Sequence, residues 1–147
     1  MNKIEKMLAF RGLADFDKVN QQAVKFLCKK YFLRADSVEL GRNRLVFLMK
    51  GYVIKIPITG YGCLDNDWEG SVSNTEESKN NQDYIQYPKT KLIYYKNLPI
   101  LFMERVNTDI WNNKTYKDFP DWVGYVDGGQ VGYTKDGRLV AFDYGLK

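Results

Sequence analysis

The chain has 147 residues, 44% of them apolar and 27% charged, with a net charge of +4. That length holds one domain with a real core, and no stretch approaches the roughly 18 apolar residues of a membrane span. Histidine is absent, which excludes Ser-His-Asp and Cys-His catalysis, histidine-ligated zinc and an imidazole pH switch.

Met1 to Leu13 alternates charged and apolar residues, with Ile4, Met7 and Leu8 on one face of a short helix and Gly12 as its stop. It lacks the uninterrupted apolar region of a signal peptide, so a cytoplasmic location and no membrane partner are expected. Asp15 or Asp17 then caps a second helix. Its apolar positions Val19, Ala23, Val24, Leu27 and Tyr31 recur at helical spacing, with Lys25, Lys29 and Lys30 on the wet side. Cys28 in this helix and Cys63 further on share no CxxC spacing and read as reduced thiols.

From Ser37 the period changes to that of strands. Ser37 to Leu40, Arg44 to Met49 and Tyr52 to Pro57 are short β-rich runs, separated by Gly41-Arg42-Asn43 and by the hairpin pair Lys50-Gly51. Thr59 to Ser73 is glycine-rich and reads as irregular, and Thr75 to Tyr87 as a surface helix closed by Pro88. Leu92 to Tyr95 and Ile100 to Val106 form another hairpin around Asn97-Leu98-Pro99. Asn107 to Pro120 is helical only in part, and Val131 to Tyr133 with Leu139 to Phe142 make a last hairpin turning at Lys135-Asp136-Gly137. The sum is an α+β domain: two N-terminal helices, a five-stranded antiparallel body, a crossing helix and a terminal hairpin. It divides into a helical extension (1–36), a sheet lobe (37–106) and a remainder (107–147).

Any chemistry must use carboxylates, lysine, tyrosine or a hard cation such as magnesium held by carboxylates. Lys55 stands inside the apolar run Val53 to Pro57. Alternation allows its side chain to face solvent, and burial would demand a partner. Asn74-Thr75-Glu76-Glu77 opens a helix that offers such a carboxylate, and Leu139 to Phe142 leads into Asp143-Tyr144-Gly145, a run that also makes a good turn.

Gly51 to Ile56, Asn74 to Glu77, Leu101 to Val106 and Val131 to Leu146 occur in the order of a lysine strand, a glutamate helix, a linker and a strand-terminal Asp-x-Gly. In this the chain resembles the protein-kinase-like superfamily, and especially the small kinase-like proteins of bacteriophages, from about Ser37 onward. The resemblance implies a truncated kinase-like fold that takes ATP and magnesium. Lys55 would contact the nucleotide phosphates and Glu77 would hold Lys55. Met103 would back the adenine pocket, the backbone of Glu104 to Val106 would meet adenine, and Asp143 would bind the metal.

The catalytic loop departs from the family. Tyr125 to Gly132 overlays it without a gap and puts Tyr125 where the family has its catalytic aspartate and Gln130 where it has the metal-binding asparagine. A phenol is a poor substitute for a carboxylate in orienting a hydroxyl; Gln130 keeps an amide oxygen for a metal, and Asp127, two residues from Tyr125 and beside two glycines, is the carboxylate that would rescue catalysis. The loop Gly41-Arg42-Asn43 supplies a single glycine where kinases use several to bring amides to phosphates. The expectation is a pseudokinase-like binding protein that inhibits a host protein. The alternatives are an active minimal ATP-dependent kinase or transferase, and, on its 15% aromatic content and positive charge, a binder of RNA or single strands.

Overall fold

The structure is a computed structural model and describes residues 16–72 and 85–142. The expected helix over Met1 to Gly12, Glu77 and Asp143-Tyr144-Gly145 lie outside the described residues, as does most of the expected helix over Thr75 to Tyr87. Its last residues, Ile85 to Tyr87, are not helical.

Asp17 caps α1 (Lys18–Phe32), its carboxylate accepting from the Asn20 amide at 2.8 Å. The chain then forms β1 (Ser37–Leu40), β2 (Arg44–Leu48) and β3 (Tyr52–Pro57), followed by α2 (Gly60–Val72), β4 (Thr90–Tyr95) and β5 (Leu98–Glu104). All pairings are antiparallel and the sheet order is β1-β2-β3-β5-β4. The β4–β5 turn is Lys96-Asn97, both at positive φ (47° and 71°) as a two-residue primed turn requires, one step earlier than the sequence suggests. The last hairpin, β6 (Val131–Tyr133) and β7 (Leu139–Ala141), turns as expected, with Gly137 at φ +86°.

Register sorts the sheet into two unlike faces. Leu45, Phe47, Ile54, Ile56 and Ile100 share one face and form the main core with Ala23, Val24, Leu27 and Cys28 of α1. The opposite face carries Arg44, Val46, Val53, Lys55, Leu101 and Met103, and α2 packs there. A second cluster, built on Ile110, Phe119, Trp122, Val123 and Val131, gathers the segment after β5 around the β6–β7 hairpin. Among the described residues no helix is long and apolar enough to cross a membrane.

α2 corrects the reading of Thr59 to Ser73 as irregular. Glycine disfavours helix by about 1 kcal/mol per residue, but here tertiary packing reverses that preference. The Thr59 hydroxyl accepts from the Gly62 amide at 3.1 Å and donates to the Asn43 side chain at 3.0 Å, capping the helix and tying it to the β1–β2 turn. A Cβ on Gly62 would stand 2.1 Å from the Asn43 carbonyl oxygen, and one on Gly70 would press on Leu92 at 3.3 Å. Gly62 lets the helix approach the β1–β2 turn more closely than any side chain would permit, and Gly70 fits it tightly against Leu92.

Gly62→Ala should therefore lower the unfolding free energy by about 2 kcal/mol or more. Gly60→Ala, whose Cβ meets open space, should change it by less than about 0.5 kcal/mol; urea unfolding compares the two.

Cys28 gives a second test. Burial pushes its thiol from the ordinary 9.0 up to about 12. Because the folded value lies above the unfolded one, this contribution is complete below pH 9 and is lost as pH rises toward 12, by up to about 1.4 kcal/mol per pH unit. Unfolding free energies at pH 8 and 10 should fall more steeply for the native chain than for Cys28→Ala.

Candidate functional site

Lys55 sits in the middle of β3 and is only 4% exposed, so the solvent-facing alternative is overturned. Its register partners are Val46 on β2 and Leu101 on β5, and apolar neighbours alone would make a charged amine there prohibitive. α2 supplies the compensation. Lys55 Nζ lies 3.0 Å from Glu69 Oε1, and Glu69 is completely buried. The other carboxylate oxygen of Glu69 is ion-paired with Arg44 of β2. Among the described residues the carboxylate that meets Lys55 is Glu69, on a helix that the sequence does not advertise, eight residues before the expected Glu77, which lies outside them.

Asn66, one turn before Glu69, completes the cluster. Its side-chain oxygen accepts from Arg44 at 3.1 Å, and its amide nitrogen donates to the carbonyls of Lys55 (2.9 Å) and Pro99 (2.8 Å). The β3–β5 ladder ends at the Lys55–Leu101 pair, so the two Asn66 N–H groups satisfy carbonyls where the strands part. Lys55 Nζ also donates to the Phe142 carbonyl at 3.0 Å, which ties the strand to the residue that follows β7.

A cleft of about 350 Å³ opens over this cluster. Val46, Leu48, Val53 and Met103 give it an apolar wall, Arg44 and Lys55 a cationic end, and Glu104 to Val106 a rim where the chain leaves β5. Met103, Glu104 and Val106 thus border the same cleft as Lys55, as their expected roles require. The Glu104 carboxylate points elsewhere, accepting from Arg138 of the hairpin (2.7 and 2.9 Å) and from the Lys89 amide at 2.9 Å. Burial alone would lower the Arg138 pKa, but hydrogen bonding and the Glu104 charge hold it above its ordinary value.

The remaining expected residues divide. The Gln130 carbonyl accepts from the Phe142 amide at 3.1 Å, so the hairpin brings position 130 alongside the strand end that leads to 143. Tyr125 ends the 3₁₀ turn Asp121–Tyr125 and is 81% exposed. Asp127 begins the next turn, Asp127–Gly129; its side chain lies outside the description. Among the described residues no group of three or more cysteines and carboxylates converges as a metal site.

Glu69 is what sequence reasoning missed, although a signal existed. Asp65, Asn66 and Glu69 recur at helical spacing between Gly62 and Gly70, and these five are the buried residues of α2. Tyr61, Leu64 and Trp68 face outward. The helix is polar inside and apolar outside, so the ordinary rule of hydrophobic periodicity turns it the wrong way round.

Replacing Glu69 by Gln leaves Arg44 and Lys55 buried without their shared carboxylate. The variant should lose about 3–5 kcal/mol of stability, the typical cost of removing one member of a buried ion pair, measured by urea unfolding at neutral pH.

No protein-family model matches the chain, and neither does any curated protein or solved structure.

Proposed function

We propose that this chain is a truncated protein-kinase-like fold that holds a purine nucleotide in the cleft, does not transfer its phosphate, and serves as a binding module. The observation that carries the reading is the buried Lys55–Glu69 pair at the cationic end of the cleft. Protein kinases use a strand lysine, fixed by a glutamate on the next helix, to meet the nucleotide phosphates. In this reading Glu69 takes the part expected of Glu77. A carboxylate on a rigid helix fixes the ammonium direction, so Lys55 meets an anion without first losing side-chain entropy.

The rest of the cleft is consistent with that use. Val46, Leu48, Val53 and Met103 would sandwich a flat aromatic base, and the backbone from Glu104 to Val106 would offer its edge hydrogen bonds. Arg44, held in the same cluster, would add a second cation near the phosphates. Asp143 and Gln130 are the residues that would hold magnesium, which when bound neutralises phosphate charge.

Transfer is a different demand. Tyr125 stands where a kinase needs the aspartate that orients the acceptor, and it is a solvent-exposed phenol. The β1–β2 turn is pinned to α2 through Asn43 and Thr59, which leaves little loop to fold over phosphates. Losing about 4 kcal/mol of transition-state stabilisation slows turnover roughly a thousandfold. The wider role, binding and inhibiting a host protein, follows from the resemblance to the bacteriophage proteins.

Thermal unfolding with and without Mg-ATP tests the cleft. A nucleotide at 100 times its Kd adds about 2.7 kcal/mol, so melting temperature should rise for the native chain and stay put for Lys55→Met. Labelled ATP should give no transfer to the protein or to generic substrates. Incorporation that vanishes in Asp127→Ala would overturn the second half and make Asp127 the catalytic carboxylate; no melting shift would overturn the first.

A further inference from the structure

The outer face of α1 is cationic with no acidic residue interleaved. From Lys18 through Ala35 there is no acidic residue, and Lys18, Gln22, Lys25 and Lys29 line up along the exposed ridge at spacings of three and four. Lys18 stands in the first turn, where the helix dipole disfavours a cation. Lys25 and Lys29 form a like-charged i,i+4 pair, partly offset because Lys29 and Lys30 stand in the last turn, where the dipole favours cations. Among the described residues none of these cations has a carboxylate within ion-pair distance.

Beside the ridge runs an apolar row at sevenfold spacing: Val19 (56% exposed), Phe26 (54%) and Leu33 (89%). Three exposed apolar residues one heptad apart, flanked by lysines, have the layout of one half of a two-helix seam. Over fourteen residues the row spans about 21 Å.

We infer that this face is a docking surface for an acidic amphipathic helix of a partner protein, with apolar residues meeting Val19, Phe26 and Leu33 and glutamates or aspartates meeting Lys18, Lys25 and Lys29. Charge complementarity selects an acidic partner, and the apolar row selects among acidic partners. A nucleic acid would satisfy the lysines but would leave the three apolar side chains without a counterpart. Phe26 is not a free stacking platform, because its ring already stacks on Tyr95 at 5.8 Å. An anionic bilayer takes up helices by a broad apolar face, and that face of α1 is buried on the sheet. A second copy of the chain would bring like charge against like. The surface lies on the side of the sheet away from the cleft, so the inference does not depend on what the cleft holds.

The test uses the full chain and a fluorescent 21-residue helical peptide with leucines at the seam and glutamates flanking them, beside a twin with lysines in place of the glutamates. Fluorescence anisotropy should show saturable binding of the glutamate peptide, weakened by added salt, and none of the lysine twin. Lys25→Glu/Lys29→Glu and Val19→Ser/Leu33→Ser should each weaken binding at least tenfold while keeping the native circular dichroism spectrum and melting cooperativity. Absence of binding to the glutamate peptide overturns the inference. So does equal binding of the twin, or a Val19→Ser/Leu33→Ser variant that binds as well as the native chain. Tighter binding of a single-stranded oligonucleotide, or of phosphatidylserine vesicles, would assign the face to nucleic acid or membrane instead.

Discussion

The Glu69 carboxylate is the constraint around which the α2 face of this sheet is organised. It is fully buried, and it bonds Arg44 from β2 and Lys55 from β3 at once. A buried carboxylate is tolerated only when its charge is met and its lone pairs are used. Meeting both conditions fixes the distance and angle between α2 and two strands. It also fixes Lys55, whose amine then reaches the Phe142 carbonyl and draws the end of the β6–β7 hairpin against the cleft. A hydrophobic replacement could be as stable, but it would not hold an ammonium group at the floor of the cleft.

The sheet solves two problems by giving each face its own chemistry. The α1 side is an ordinary apolar core of aliphatic and aromatic residues. The α2 side is part apolar, through Val53, Leu101 and Met103, and part ionic. Polar groups cluster where the β3–β5 ladder ends and backbone carbonyls need partners, and Asn66 supplies them. The ionic cluster therefore sits at a place where the fold already required hydrogen bonding.

Much of this was legible in the sequence. Alternation placed the strands within a residue or two, and Lys50-Gly51 and Lys135-Asp136-Gly137 marked their turns because those positions need glycine's positive φ. Lys55, Met103, Glu104 and Val106 were singled out as neighbours, and they line one cleft. α2 was not legible. Its helical character rests on contacts distant in sequence, with Asn43, Leu92 and Leu101, and its buried face reads as a polar one. The same inversion hid Glu69. The sequence leads one to expect a carboxylate partner for Lys55, and Glu69 serves as one because α2 begins as early as Gly60.

The two hydrophobic clusters also divide the chain's optical signals. Two of the three tryptophans, Trp111 and Trp122, belong to the cluster after β5, where Trp111 donates to the Gly129 carbonyl at 3.2 Å and packs against Phe119. The sheet core contains none. Intrinsic fluorescence is thus weighted towards the smaller cluster, with Trp68 on α2 adding a partly exposed signal, whereas far-ultraviolet ellipticity is dominated by the sheet and its helices. That segregation makes the native chain its own reporter of cooperativity: superimposable denaturation curves from the two signals mean that the clusters melt together, and separated curves mean that the smaller one can loosen while the lysine–glutamate floor stays intact.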